Sequence, residues 1–318
     1  MISVPLGIIC HGGAGTIDDK PAYATGLTEA IDEGYRLLRQ SANAIEAVVA
    51  AVRIMEDNPV FNAGTGSDLT IDGLIEMDAS LMSQDGRFGG VAGIWGVKNP
   101  ILVAEKVMTD TDHLLLSGFG AMEFARKMGF EEYNVTTERA LARLRRVTSH
   151  GSRYFHKQNQ QRFPSGMPPA LEAGEDTAPE SQTGTVGAVA RDKHGSIAVA
   201  TSSGGIVGRM RGRVGDAAII GAGTYAGLSG AVSCTGHGEE ITRRSLARDI
   251  AERMTTVPAS TAMLLVMAEA KRKKLAFGAI GLDAKGGIGY GYTTPDMAYG
   301  YKVNERVFLF TEEKQRPR

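Results

Sequence analysis

Cysteine is scarce in this 318-residue chain: Cys10 and Cys234 are the only two. That excludes a disulfide framework and the paired spacings of a zinc site, and it suits a reducing compartment. Charge of one sign is missing as well, with 35 Lys and Arg against 36 Asp and Glu. A net charge of -1 supplies no global attraction to nucleic acid or to an anionic membrane surface. No apolar run approaches the 18 or so residues of a membrane span, and the stretch from Met1 to Cys10 lacks the basic start and long apolar core of a secretory signal. The expectation is a cytoplasmic protein. The six histidines have no i, i+4 pairing for a metal, and no Gly-x-Ser-x-Gly elbow occurs.

What is abundant is glycine, 41 residues, together with 42% hydrophobic residues. Length alone allows two domains of roughly 150 residues or one large sandwich. Leu6 to Cys10 reads as a buried strand running into the glycine-rich turn His11-Gly12-Gly13-Ala14-Gly15, which lacks the Lys-Ser/Thr of a phosphate loop. Leu27, Ile31, Tyr35 and Leu38 then have helical spacing over 23–40. A second helix with Ile45, Val48, Val49, Val52 and Met55 on one face is expected to be capped by Ser41 and ended by Pro59. Strand-like runs over 76–82 and 88–97 flank Asp85-Gly86, a hairpin signal that makes part of the sheet antiparallel. Helices are expected near 101–108, 118–128 and 138–154, the last with Arg139, Arg143, Arg145, Arg146 and Arg153 on a solvated face.

From about 157 to 183 apolar periodicity vanishes, and the stretch reads as a flexible leader. It delivers the chain to Gly184-Thr185-Val186-Gly187-Ala188-Val189-Ala190. A Thr hydroxyl inside a chain lacks a base, but cutting the bond before it creates an α-amino group with a pKa of roughly 7.7 to 8.0 that can take the hydroxyl proton. Gly184 leaves its carbonyl unhindered. Taken alone, the same dipeptide also reads as the opening of an ordinary buried strand. A hairpin turn at Asp192-Lys193-His194-Gly195 returns Thr201, Ser202 and Ser203 toward Thr185. Strands are expected at 217–221 and 231–234, helices at 239–254 and 260–274, and the chain closes with strands from 276 onward. Grouped helices and hairpin-linked strands give an α+β layered architecture. A competing motif, Gly221-Ala222-Gly223-Thr224-Tyr225-Ala226, has the Gly-x-Gly-x-x-Ala form of a dinucleotide-binding oxidoreductase, yet the glycines at 227 and 230 interrupt the helix that should follow.

Six motifs in order carry a family resemblance. His11 to Gly15, Phe61-Asn62-Ala63-Gly64, Gly184 to Ala190, Ala200-Thr201-Ser202-Ser203-Gly204-Gly205, Gly212-Arg213-Val214-Gly215-Asp216 and Ser233-Cys234-Thr235-Gly236-His237-Gly238-Glu239 resemble the plant-type L-asparaginases, or isoaspartyl peptidases, among the N-terminal nucleophile hydrolases. The resemblance implies a four-layer αββα sandwich over 1–318. It implies self-cleavage into a 1–184 α chain and a 185–318 β chain, assembled as a homodimer of αβ heterodimers. Thr185 would be the nucleophile of cleavage and of catalysis, with Ser203 beside it. Thr235 and Gly236 would form the oxyanion hole, and Asn62 would position groups near the nucleophile. Arg213 would pair with the substrate α-carboxylate, Asp216 with its α-ammonium, and Gly238 would assist binding. No organic cofactor is implied; a structural sodium or potassium ion on the backbone carbonyls of Met55, Glu56, Asn58, Phe61, Ala63 and Thr65 is. The substrates would be L-asparagine and β-aspartyl dipeptides. Within the same fold, a threonine aspartase is disfavoured because this chain shows no long insertion to build a protein-docking surface, and glycosylasparaginase is disfavoured because a signal peptide and paired cysteines are absent. The chain departs from the pattern at Ser203, where Thr is usual, at the variable His237, and over 292–297.

Overall fold

The computed structural model describes residues 6–150 and 184–311. The leader expected over 157–183, and the helical continuation expected through Arg153 and Tyr154, lie outside the described residues. What is described is a mixed α/β protein with two sheets.

The first sheet has eight strands in the order β12-β11-β1-β5-β6-β2-β3-β4. Its members are β1 (Gly7–Gly15), β2 (Met77–Ser83), β3 (Phe88–Ile94), β4 (Leu115–Ser117), β5 (Val186–Arg191), β6 (Ile197–Ser203), β11 (Asp296–Val303) and β12 (Arg306–Leu309). All its pairings are antiparallel except β3 with β4. The second sheet runs β10-β9-β8-β7, with β7 (Thr224–Gly227), β8 (Gly230–Gly236), β9 (Phe277–Asp283) and β10 (Ile288–Tyr292). Every residue of β1, β5 and β6 is buried, as strands covered on both faces require. One face meets helices α1 (Lys20–Arg39) and α2 (Ala44–Asp57); across the other, β1 touches β9 and β6 touches β8. Both expected hairpins form, β2–β3 and β5–β6.

Tyr23, Leu27, Ile31 and Leu38 make the buried stripe of α1, and Ile45, Val48, Val49, Val52 and Met55 that of α2. The cap of α2 is Asn43, not the expected Ser41. Asn43 accepts from Glu46 N–H while Glu46 reaches back to Asn43 N–H, a reciprocal pair that satisfies two helix-end donors. Ser41 sits instead at a positive φ of 71° in the turn between the helices. Downstream of β3 come α3 (Pro100–Asp110), α4 (Gly118–Lys127) and α5 (Glu138–His150).

Helix α5 corrects the expectation of a solvated arginine face. Ala140, Leu144 and Val147 bury against Leu69 and Val207, which brings Arg139 and Arg143 over the loop at 60–68. Arg139 donates to the Val60 carbonyl at 3.1 Å; Arg143 donates to the Gly66 carbonyl at 3.0 Å and pairs with Asp68 at 2.9 Å. The single helix expected over 239–254 is two, α6 (Gly238–Arg244) and α7 (Leu246–Arg253), broken at Ser245 in a left-handed conformation (φ 46°). Helix α8 (Ala259–Arg272) follows, and α7 and α8 pack on the second sheet. No strand forms over 217–221. The Asp216 carbonyl accepts from Ile219 and Gly223 N–H and winds Asp216–Ala218 into a 3-10 turn. Gly221 to Ala226 therefore leads from a turn into β7, with no helix after it, and the phosphate-facing helix end of a dinucleotide site is absent among the described residues. Among those residues, no helix is long and apolar enough to cross a membrane.

Arg209 is the largest fully buried side chain. It donates to the carbonyls of Asp68 (3.0 Å), Ile206 (3.2 Å) and Glu76, stitching the loop after β6 to the residues before β2. Replacing it strands those acceptors and removes the cation facing Asp78, so Arg209→Met should cost about 3 kcal/mol of stability. Denaturant unfolding in an uncleaved Thr185→Ala background measures this; a loss below about 1 kcal/mol, the scale of a surface ion pair, would contradict the buried-scaffold reading.

Candidate active site

Pairing of β5 with β6 sets Val186 opposite Ser202, so Thr185 emerges next to Ser203. The Thr185 hydroxyl donates to Ser203 Oγ at 3.0 Å, and both residues are buried. Ser203 Oγ also accepts the Gly205 N–H at 3.0 Å, so two donors converge on one oxygen. A hydroxyl that donates its proton this way leaves its lone pairs available to attack a carbonyl.

Thr235 and Gly236, at the end of β8, lie against the residue preceding Thr185. A Cβ on Gly184 would stand 2.7 Å from Thr235 Oγ1 and 3.6 Å from Gly236 N. Gly236 has φ +124°, and a Cβ there would strike Phe277 Cα at 2.6 Å, so glycine is required to turn this backbone beside the Gly184–Thr185 bond. Thr235 Oγ1 accepts the Ala14 N–H at 3.2 Å, which ties it to the glycine-rich end of β1. There the register slips between His11 and Gly13, and Gly13, at φ +116°, packs directly on the Gly184 backbone.

Asn62 stands one step behind. Its amide donates to the Gly205 carbonyl at 2.7 Å, its oxygen accepts from Asp68 N–H at 2.8 Å, and its own carbonyl accepts from Gly204 N–H at 2.9 Å. It shapes the turn that carries Ser203 and Gly205. Glu56, also buried, accepts from Ser202 Oγ at 2.6 Å and from Ile101 N–H at 3.0 Å; burial pushes its pKa up to about 8, against the pull of those donors.

Arg213 and Asp216 flank Gly238. A Cβ on Gly238 would lie 2.5 Å from Arg213 Nη2 and 2.7 Å from Asp216 Oδ1, so both charged groups crowd the same point. Asp216 is 4% exposed, and its Oδ2 has no hydrogen-bond partner among the described residues. Burial raises its pKa to about 7, partly countered by the Arg213 charge. The supporting shell is Asp78, whose carboxylate accepts from Gly93 N–H at 2.9 Å and Gly215 N–H at 2.7 Å, and Glu76, which accepts from Gly212 N–H at 2.7 Å. A buried cation beside a buried anion with an unused acceptor is chemically suited to meet a carboxylate and an ammonium together.

One buried polar chain escaped the sequence reading. His11 Nε2 and Ser233 Oγ are 2.9 Å apart, and Ser233 Oγ and Thr201 Oγ1 are 2.8 Å apart, packed under Gly187 where a Cβ would meet Ser233 Oγ at 2.0 Å. Burial drives the His11 pKa down to about 3, against a smaller pull from the Thr185 backbone, so the ring is neutral. All three residues sit inside motifs quoted above, but their meeting spans more than 200 positions and leaves no local signal. Of the residues expected to hold an ion, Met55 and Glu56 end α2, and Asn58, Phe61, Ala63 and Thr65 follow in the segment that folds back on it. The Glu56 carbonyl lies 2.3 Å from where a Gly64 Cβ would be, and the Phe61 carbonyl 1.8 Å from a Gly66 Cβ. Among the described residues, no cluster of three or more His, Cys, Asp or Glu side chains could hold a metal.

The sequence is similar to known proteins over nearly its whole length. The family described as asparaginase matches residues 4–310. The chain is 43% identical over 308 residues to the plant-type L-asparaginase of Pyrococcus horikoshii, covering 93% of this chain and 96% of that protein. It is 42% identical over 306 residues to the plant-type L-asparaginase of Thermococcus kodakarensis, covering 92% and 95%. It is 40% identical over 253 residues to the isoaspartyl peptidase/L-asparaginase of Mus musculus, covering 78% and 72%.

Ser203 is the acceptor that orients the Thr185 hydroxyl, so Ser203→Ala should slow any reaction in which Thr185 attacks by about 10- to 100-fold, a loss on the general acid–base scale. Ser203→Thr should retain wild-type rates within a few-fold. Single-turnover rates on both variants check this, and equal rates for Ser203→Ala and wild type would remove Ser203 from the site.

Proposed function

Because the chain belongs to the asparaginase family, we propose that it is an autoprocessing isoaspartyl peptidase with L-asparaginase activity, working through Thr185. One observation carries the reading: the residue that leads directly into a buried strand bears a hydroxyl hydrogen-bonded to Ser203, directly after a glycine seated on Thr235 and Gly236. The four-layer αββα arrangement is the reading of the fold that agrees with two facing sheets carrying helices on their outer sides.

In the precursor, Thr185 Oγ attacks the Gly184 carbonyl carbon and its proton passes to the departing Thr185 nitrogen. The peptide bond becomes an ester, which water hydrolyses to a Gly184 carboxylate and a free Thr185 amino terminus. That amine, with an ordinary pKa of about 7.7 to 8.0, is the base the internal residue lacked. In the mature enzyme it takes the Thr185 proton as Oγ attacks the β-carbonyl of L-asparagine or of a β-aspartyl dipeptide. Thr235 Oγ1–H and Gly236 N–H stabilise the oxyanion, and loss of one such donor typically costs about 3 to 4 kcal/mol. The proton goes to leaving ammonia or amino acid, and water hydrolyses the β-aspartyl ester. Arg213 holds the α-carboxylate and Asp216 Oδ2 takes the α-ammonium.

A sodium or potassium ion fits the loop from Met55 to Thr65: the donors are all oxygen, and the Glu56 and Phe61 carbonyls converge on glycines with no room for a Cβ. The Met55, Asn58 and Ala63 carbonyls each accept one turn hydrogen bond and retain a second lone pair. Such an ion would brace the loop that presents Asn62, and no chemical step involves it. The mature unit is read as 1–184 with 185–318, paired into a homodimer of heterodimers. Neither a dinucleotide site nor a threonine aspartase gains a supporting observation.

Denaturing electrophoresis of purified protein should show two bands, and Thr185→Ala one; an uncut wild type that hydrolyses L-asparagine at full rate would refute the mechanism. The raised Asp216 pKa sets a pH dependence. Below about 7 Asp216 is protonated and loses its attraction for the ammonium, so KM for L-asparagine should rise as pH falls through 7 while kcat follows the Thr185 amine. Steady-state kinetics from pH 5.5 to 9 test this, and a KM flat across that range would exclude Asp216 as the ammonium acceptor.

A further inference from the structure

The Arg213 guanidinium already has a partner. Its Nε and Nη2 donate to the two oxygens of Glu239, each at 3.0 Å, in the fork geometry of a bidentate pair. The Arg213 side chain is 14% exposed and that of Glu239 42%, with His237 Nε2 3.5 Å from Glu239 Oε2. Burial alone would pull Arg213 down, but the hydrogen bonds to Glu239, with the charges of Glu239, Asp216 and Asp78, leave it above its ordinary value. The Glu239 carboxylate is held below the usual range by that same pair, despite burial.

Arg213 faces a second carboxylate at close range. Its Nη2 and Asp216 Oδ1 both lie within 3 Å of the point a Gly238 Cβ would occupy. Without another anchor, a buried guanidinium and a buried carboxylate this close would pair with each other, since each gains more from the other than from water it cannot reach. A zwitterionic substrate would then have to break that pair before binding. We propose that Glu239 is a positioning residue that holds Arg213 by its Nε–Nη2 edge, keeps it off Asp216, and so keeps the receptor open for the substrate's α-carboxylate and α-ammonium. Nη2 has a second N–H beyond the one given to Glu239, and it is this nitrogen that stands beside Gly238, where the substrate carboxylate would be met.

This rests on the Thr185 reading of the site, and the test separates the two. In Glu239→Gln the amide can satisfy only one of the two Arg213 donors, and Arg213 swings to Asp216. KM for L-asparagine and the inhibition constant of L-aspartate should rise together, about 10-fold, with kcat within two-fold of wild type and processing into two bands intact. The groups facing Asp216 are Arg213, Asp78, Glu239 and Cys234, with His237 beyond Glu239. With Arg213 drawn in and Glu239 neutral, the acidic limb of kcat/KM should move to lower pH, a shift that a general loss of packing does not produce. Glu239→Asp, too short to reach both donors, should show the same two effects and serves if Glu239→Gln fails to process. An unchanged KM, a fall confined to kcat, or a raised KM with an unmoved acidic limb would each overturn the assignment of Glu239. Absence of amide hydrolysis in the wild type would instead overturn the activity itself.

Discussion

The strand order β1-β5-β6-β2 is the constraint on which the rest depends. Strands β5 and β6 follow the Gly184–Thr185 bond in sequence, yet they lie between β1 and β2, which precede it. Each is hydrogen-bonded along its length to a strand from the other side of the bond, β5 to β1 over Gly187–Arg191 and β6 to β2 over Ala198–Ser203. Cutting that one peptide bond therefore leaves the ladder intact, and the two pieces stay in one sheet. The same interleaving brings β5 and the glycine-rich end of β1 together, so that Gly13 packs on Gly184 and Ala14 N–H reaches Thr235. A nucleophile that must be freed and then held still is compatible with this topology. It would be hard to reconcile with a bond placed in a loop between two separable halves.

Charge burial follows from where the loop after β6 runs. Of the three arginines at 209, 211 and 213, only Arg211 stays in solvent, 62% exposed and 3.8 Å from Glu76. Arg209 is satisfied mainly by carbonyl oxygens and works as a scaffold, whereas Arg213 is held by a carboxylate and borders an unfilled position at Gly238. The difference is chemical: neutral acceptors fix a guanidinium without competing for a ligand's charge, while Glu239 both fixes and competes. Asp78 and Glu76 accept backbone N–H groups on either side of Arg213, so the loop's path is set before any substrate arrives. That preorganisation reduces the ordering cost of binding.

Much of this was legible in the residues. Asp85-Gly86 and Asp192 to Gly195 announced hairpins because tight two-strand turns demand those residue types, and the second hairpin placed Ser203 beside Thr185 by counting alone. Ser41 misled because a capping side chain is only half of a cap; the Asn43–Glu46 exchange won. The helix break at Ser245 has no glycine or proline to mark it. Arg139 and Arg143 were misread as solvated because helical spacing reveals a face but not what lies over it, and the cover came from the loop at 60–68. The His11–Ser233–Thr201 chain and the Arg213–Glu239 pair were invisible for the same reason. The first crosses between the two sheets, and the second joins the loop after β6 to the start of α6.

Glycine's part in the site is steric at a few defined points. Gly13, Gly184, Gly187 and Gly238 each occupy a spot where a Cβ would meet a functional atom or the scissile residue at under 3 Å. Gly13 and Gly184 bring main chain and the Thr235 hydroxyl against the Gly184–Thr185 bond, Gly187 makes room for His11 and Ser233, and Gly238 leaves the gap between Arg213 and Asp216. A site assembled in this way has little slack. The buried hydroxyls of Thr185, Ser203 and Thr235 are tied to one another's strands and to the Ala14 and Gly205 backbone, and the proposed cleavage of one bond would expose an amine among them. On that proposal, precursor and mature enzyme would share one set of donors, because the backbone that positions them belongs to strands the cut would not touch.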